Sequence, residues 1–308
     1  MKHIFIINPK AGKSDQTEKV KEAVKKELPE EEVVFYVTEG PLAARDFVIR
    51  YCKEHPEEEK RFYSCGGDGT LNEVANGAIG FPNTEIACLP IGSGNDFVKN
   101  FGKIADFRNL PELIKGRAVA IDAIRFNDHY LVNIFNLGLD ADVCERMIRY
   151  KRLPLVSGKG AYILGLVVSF FSKFTQKMRI FVDGEEFFSG EATLCAAANG
   201  VCYGGGFYCT PQAKTDDGLM DILVVKKVSR IKFLKFVKKF KEGRHLDVPE
   251  LKEYIFFRRG QVVEIEAEKP INCCFDGEIT KEERIKIEIL PKMLKFVVPE
   301  RLLEPSAS

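Results

Sequence analysis

With 308 residues, 46 Lys and Arg against 45 Asp and Glu, and 45% apolar types, the chain reads as a soluble globular protein of two domains that needs no disulfide or metal staple. A net charge of +1 excludes a diffuse basic surface that binds nucleic acid by neutralising many phosphates, so an anionic ligand must be held by local geometry. The nine cysteines are an odd number without a Cys-x-x-Cys pair, and they read as inert core thiols in a reducing cytosol.

In chain order, Met1–Ile7 is too short for a signal peptide, and its apolar part, Ile4–Ile7, closed by Asn8-Pro9, reads as a buried strand. In Asp15–Leu28, Val20, Val24 and Leu28 recur every four residues, the spacing of an amphipathic helix. Val33–Val37 is a second strand, and Thr38-Glu39-Gly40-Pro41 is expected to open a helix with Pro41 in its first turn. Phe62–Cys65 and Glu85–Leu89 are further strands, leading through glycine-bearing turns into the helical stretch Leu71–Ile79 and a short helix after Asp96. This alternation predicts an α/β domain with a parallel sheet and helices on both faces.

From about residue 121 the pattern becomes antiparallel and β-rich: Ile121–Phe126, Tyr130–Leu137, Met178–Val182, Glu191–Ala198, Leu219–Val225, Gln261–Ala267, Ile271–Asp276 and Arg284–Leu290 read as strands. Two helical insertions, Asp140–Phe171 and Ser229–Lys241, interrupt them. The expected division is residues 1–120 and 121–291, with 292–308 packing back on the first domain and Glu304–Ser308 disordered. The longest apolar stretch, Ala161–Phe171, is far below the roughly 20 residues that span a bilayer.

Three glycine-bearing turns, Asn8–Gly12, Gly66–Thr70 and Gly92–Asn95, follow predicted strands and lead into helices. In an open parallel sheet such turns share one edge and should line one crevice. Small residues let backbone N–H groups approach an anion, and helix N-termini add positive partial charge, so the three together describe a polyphosphate site. A Walker A loop fails because Ile7 stands where its first Gly belongs, and the dinucleotide fingerprint fails because Asn72 and Phe97 stand at its last small position. Asp68, flanked by glycines, is placed to reach a phosphate-bound Mg²⁺ directly or through water, with Asp96 and Asp122 as candidates to join it.

Four blocks, Asn8-Pro9-x-Ala11-Gly12, Gly66-Gly67-Asp68-Gly69-Thr70-Leu71-Asn72-Glu73-Val74, Pro90-Ile91-Gly92-Ser93-Gly94-Asn95-Asp96-Phe97 and Phe275-Asp276-Gly277-Glu278, together resemble the soluble diacylglycerol kinase family of lipid kinases, which includes sphingosine and ceramide kinases. They stand in the family's order and spacing, so the resemblance covers essentially the whole chain. Gly-Gly-Asp-Gly-Thr alone is shared with NAD kinases and phosphofructokinases; the continuation Leu71–Val74 and the third block are more specific. The resemblance implies an ATP-binding α/β domain, a β-sandwich domain, and a nucleotide site in the cleft between them. It maps ATP contacts onto Asn8, Pro9, Lys10, Ala11, Gly12, Thr38, Gly66, Gly67, Asp68, Gly69, Thr70, Leu71, Asn72 and Ser93. It also implies a structural Mg²⁺ at Asp217, with backbone carbonyls from Lys214 and Leu219; read alone, this segment is an Asp-Gly turn. Ala11 replaces the family's usual Ser, which leaves the nucleotide open.

Phosphoryl transfer to an alcohol needs a carboxylate to accept the hydroxyl proton. The resemblance places this general base in the last block, where Asp276 and Glu278 are two residues apart and face one side of a strand unless Gly277 bends it. Lys226–Arg244 holds nine Lys and Arg against one acid, Glu242, interleaved with apolar residues. Such a basic amphipathic helix suits either an anionic membrane surface or packing on the second domain with its basic face in water. Ala161–Phe171 suits either acyl chains or core. The expectation is an ATP- and Mg²⁺-dependent lipid kinase that turns diacylglycerol into phosphatidic acid. It would be cytoplasmic and peripherally membrane-associated, meet its lipid at the membrane, bind no nucleic acid, and have a homodimer as a candidate assembly. The alternatives are a NAD kinase-like phosphotransferase and a non-catalytic nucleotide-binding regulatory protein.

Overall fold

The computed structural model describes residues 1–150 and 175–303. They form two compact units, one of Met1–Ala123, Thr215–Asp217 and the residues from Leu290 onward, the other of the described parts of Ile124–Lys214 and Gly218–Ile289.

In the first unit, β1 (Lys2–Ile7) pairs in parallel with β2 (Val33–Val37) and β3 (Lys60–Gly66), and β3 pairs in parallel with β4 (Thr84–Pro90). The end of the chain's last strand (Glu278–Val298) adds to β4 in parallel, Phe296 opposite Ile86. Ile4, Phe5, Ile6 and Ile7 are completely buried, as expected of a strand covered on both faces, and Phe5 stacks on Tyr63 at 4.2 Å between centroids. The connections carry α1 (Thr17–Glu27), α2 (Ala43–Glu54), α3 (Asp68–Ala78), α4 (Ile104–Phe107) and α5 (Leu110–Ile114).

Two local expectations change. Helix α2 opens at Ala43 rather than around Pro41, because Leu42 is left-handed (φ 65°) and Glu73 of α3 accepts from the Ala44 N–H at 3.1 Å, capping α2 from outside. After Asp96 the chain forms only a 3-10 turn, Phe97–Asn100.

In the second unit the strands are the end of β5 (Arg117–Phe126), β6 (His129–Leu131), β7 (Ile134–Gly138), β8 (Gln176–Val182), β9 (Glu185–Ala198), β10 (Met220–Lys226), β11 (Ile255–Gly260), β12 (Val262–Phe275) and the start of β13 (Glu278–Val298). Antiparallel pairing runs β11, β10, β9; then β7 and β8 share one slot between the long strands β9 and β12, and β12 pairs with β13. Inward side chains from β5 to β13, among them Phe126, Phe135, Ile222, Ile265 and Ile287, meet in one core, so this sheet folds over on itself. Helices α6 (Leu139–Tyr150) and α7 (Arg230–Lys241) pack on it. Ser229 caps α7, its Oγ accepting from the Lys232 N–H at 3.2 Å.

Several strands differ from expectation. The single strand read at Tyr130–Leu137 is two, and the two read at Gln261–Ala267 and Ile271–Asp276 are one strand with a register shift between Glu266 and Ile271. β11 escaped the sequence reading, and β9 and β13 run longer than read because residues 185–190 and 278–283 are mostly charged, polar or small, yet pair with β8 and β12. Within the insertion Asp140–Phe171, α6 accounts for the described part; the remainder, including the acyl-shelter segment Ala161–Phe171, lies outside the described residues, as does Glu304–Ser308. None of the nine cysteines is disulfide-bonded; Cys144 is half-buried and the others are buried. Among the described residues no helix is long and apolar enough to cross a membrane.

Candidate functional site

At the carboxyl ends of β1, β3 and β4 the three glycine turns touch through their backbones. The Asn8 N–H donates to Cys65 O at 3.0 Å, Asn8 Nδ2 to Thr70 Oγ1 at 3.1 Å, and Asn8 Oδ1 accepts from the Lys10 N–H at 3.0 Å. Gly66 O accepts from both Ile91 N–H (3.0 Å) and Gly92 N–H (2.9 Å), and Thr38 N–H donates to Ile7 O at 2.9 Å. Gly12 is left-handed (φ 82°) and a Cβ there would lie 2.6 Å from Ile91 O; a Cβ on Gly92 would lie 2.4 Å from the Gly67 Cα. The first turn therefore closes on the third at Gly12, and the third on the second at Gly92, without room for a side chain at either glycine. Lys10, Gly12, Gly69 and Ser93 remain exposed along this edge, whereas Leu71 and Asn72 are buried in α3. Backbone N–H groups and the α3 N-terminus gathered on one edge can bind an anion.

Asp68, in the first turn of α3, organises the third turn. Its Oδ1 accepts from the Asp96 N–H (2.6 Å) and the Phe97 N–H (3.2 Å). Burial, then the neighbouring Asp96 carboxylate, pushes the Asp68 carboxyl up, against the pull of backbone N–H groups at residues 95–97. Asp96 is 4% exposed and paired with Lys99 Nζ at 2.5 Å. Asp122 is fully buried: its Oδ1 accepts from the Lys292 N–H at 2.8 Å, and its own N–H donates to Thr215 O at 2.7 Å, which ties it to the segment carrying the exposed Asp217.

In the second unit, Asp276 and Gly277 form the two-residue turn between β12 and β13, with φ of 46° and 98° and Phe275 opposite Glu278. Asp276 thus lies in the hairpin turn and Glu278 just after it, not along one strand face. Asp276 turns inward: Oδ2 accepts from the N–H groups of Val132 (2.9 Å) and Asn133 (3.3 Å), Oδ1 from Ile134 N–H (2.9 Å). This clamp holds the break between β6 and β7. Glu278 is exposed at the start of β13.

Sequence reasoning missed the α6 side of this hairpin. Asn272 Nδ2 donates to Asp142 Oδ1 (2.7 Å) and Glu145 Oε2 (2.8 Å), and Cys144 Sγ lies 3.9 Å from Gly277 O. Asp140 bonds the Tyr203 hydroxyl, and burial pushes its carboxyl up to about 6. The available signal was a pair of acids, Asp140 and Asp142, at the head of a predicted helix.

A parallel α/β unit with glycine turns on its carboxyl edge and an antiparallel unit are the two parts that match known protein families. The diacylglycerol kinase catalytic domain matches residues 2–126, and the YegS C-terminal NAD kinase beta sandwich-like domain matches residues 133–298. The "Probable lipid kinase YegS-like" of Shewanella frigidimarina is 33% identical over 241 residues, 76% of this chain and 75% of that protein. A solved diacylglycerol kinase structure from Bacillus anthracis covers 98% of both chains at a TM-score of 0.71 and 21% identity. An NAD kinase from Archaeoglobus fulgidus in complex with ATP is more distant, at a TM-score of 0.52 and 14% identity over 97% of this chain and 95% of that one. These two likenesses concern the fold. The chain belongs to the YegS-like, diacylglycerol kinase-related family of lipid kinases.

Proposed function

We propose that the protein transfers the γ-phosphoryl group of ATP to the primary hydroxyl of a lipid, diacylglycerol first among the substrates, giving phosphatidic acid. The observation that carries this reading is the closure of three glycine turns on one another around Asp68, which leaves a bare backbone edge for the phosphates. The lipid hydroxyl oxygen bonds to the γ-phosphorus, the bond to the β,γ-bridging oxygen breaks, and ADP leaves.

Glu278 takes the hydroxyl proton. Asp276 is the positioning residue, since both of its carboxylate oxygens are engaged by backbone N–H groups. Mg²⁺ is implied by the family. Among the described residues no cluster of three or more His, Cys, Asp or Glu side chains forms a metal cage. An exposed Asp217 carboxylate and the carbonyl oxygens of its loop are nonetheless hard donors that would hold a structural ion together with waters, apart from any ion at the phosphates. Asp68 and Asp96, engaged by N–H groups and by Lys99, suit contact through water. Bound at the phosphates, the ion would spread the charge of the transferring group.

The test is incubation of purified protein with γ-labelled ATP, Mg²⁺ and vesicles containing diacylglycerol, with NAD in a parallel arm. Labelled phosphatidic acid supports the reading. Labelled NADP alone favours the NAD kinase alternative, and nucleotide binding with no labelled acceptor favours a regulatory protein.

A further inference from the structure

One face of α7 carries a pattern that phosphoryl transfer does not use. At about 100° per residue, Arg230, Ile231, Leu234, Lys235, Lys238 and Lys241 share an arc of roughly 140°, and all six are exposed. Ile231 is 82% and Leu234 58% exposed, on a helix with no buried residue. The attached face is settled by packing: Phe233 lies against Leu139, Val143 and Val228, and Phe240 against the cluster containing Ile134 and Leu223. Lys232 turns inward too, over the Tyr254 ring at 3.8 Å and 3.7 Å from Glu253. The acid beside the outer face is Glu242, 3.9 Å from Lys238.

We propose that this outer face docks on an anionic phospholipid surface, with Ile231 and Leu234 entering the acyl boundary and Arg230, Lys235, Lys238 and Lys241 among the headgroup phosphates. Charge complementarity names the occupant. Four cations around two bare aliphatic side chains match a surface that offers phosphates and an apolar phase at the same depth, and long cationic stems reach the headgroups while their neighbours sink. Nucleic acid offers the phosphates without an apolar phase. The use of this face rests on the lipid kinase reading, which gives the protein a reason to meet a membrane. The docked helix also packs on the elements that hold the Asp276–Gly277 turn: Phe233 touches α6, whose Cys144 reaches Gly277, and Phe240 packs on the cluster of Ile134, whose N–H holds Asp276.

The experiment is co-sedimentation of the full chain, without ATP or diacylglycerol, with vesicles of phosphatidylcholine alone or mixed with phosphatidylglycerol. The expected result is binding to the phosphatidylglycerol vesicles that weakens with salt and falls at least tenfold in the I231E/L234E and the K235E/K238E variants. Because all four positions are exposed, the variants should unfold at the parent's temperature. Equal binding to both vesicle types, or variants that sediment like the parent, would overturn the proposal. So would a dimer or a nucleic-acid complex that the variants lose while vesicle binding persists. Phosphorylation of a water-soluble short-chain diacylglycerol without vesicles separates the readings: both variants should retain it, and its absence in the parent counts against the kinase reading and leaves docking intact.

Discussion

Replacing Asp276 by Asn and Glu278 by Gln separates the clamp from the base. Asp276 presents two oxygens to three backbone donors. Asn presents one oxygen and an NH₂, so at least one N–H of Val132, Asn133 or Ile134 must face another donor. The left-handed backbone at 276 (φ 46°) suits Asn as well as Asp, so no strain is added. Loss of charge assistance and one orphaned donor sum to about 2–4 kcal/mol. The chain has no Trp, so urea unfolding is best followed by far-ultraviolet circular dichroism. Glu278→Gln, at an exposed position, should leave stability within about 0.5 kcal/mol and lower turnover by about 10²–10⁴. The assignment is refuted if Asp276→Asn abolishes turnover at parental stability while Glu278→Gln remains active, for then Asp276 is the base.

Three further outcomes follow from the first unit. Gly92→Ala drives a Cβ to 2.4 Å from the Gly67 Cα, a backbone clash that no rotamer relieves, so ATP affinity should drop at least tenfold by calorimetry with a stability loss of about 1–3 kcal/mol; parental affinity would remove the turns from the site. Lys99→Met takes the cation from the buried Asp96 beside Asp68, costing about 3–5 kcal/mol at pH 8. The loss should be smaller near pH 5, where Asp68, its carboxyl already pushed up, takes a proton more readily; equal losses at both pH values would contradict this electrostatic account. His3 accepts or donates a hydrogen bond at 2.8 Å with the Tyr63 hydroxyl, and burial, then the Arg61 charge, lowers it to about 4. The unfolded chain thus binds the proton more tightly, so His3 contributes stability above its unfolded value near 6.5 that is lost as pH falls through about 4. His3→Phe should flatten the unfolding midpoint across that window, and an unchanged slope would count against it.

The site was unevenly legible. The three turns could be found because close backbone approach at Gly12 and Gly92 demands glycine, and that demand is written in the letters. The base could not be chosen, because only the fold shows that Asp276 stands inside a two-residue turn and Glu278 just after it. Asp140 passed unnoticed because its raised carboxyl comes from burial, which no residue type announces.

By itself the sequence determined the α/β unit and the three glycine turns on its edge, since strands covered on both faces are continuous apolar runs and turns that must touch are glycines. It also marked a basic, apolar helix near residues 226–244 without saying which side faces out. Tertiary structure decided the rest. Charged and polar residues cut β9 and β13 short and split β12 in two on paper, and only cross-strand pairing restores them. Only the seating of Phe233 and Phe240 turns Ile231 and Leu234 outward, because a helix exposes whatever its partners leave uncovered.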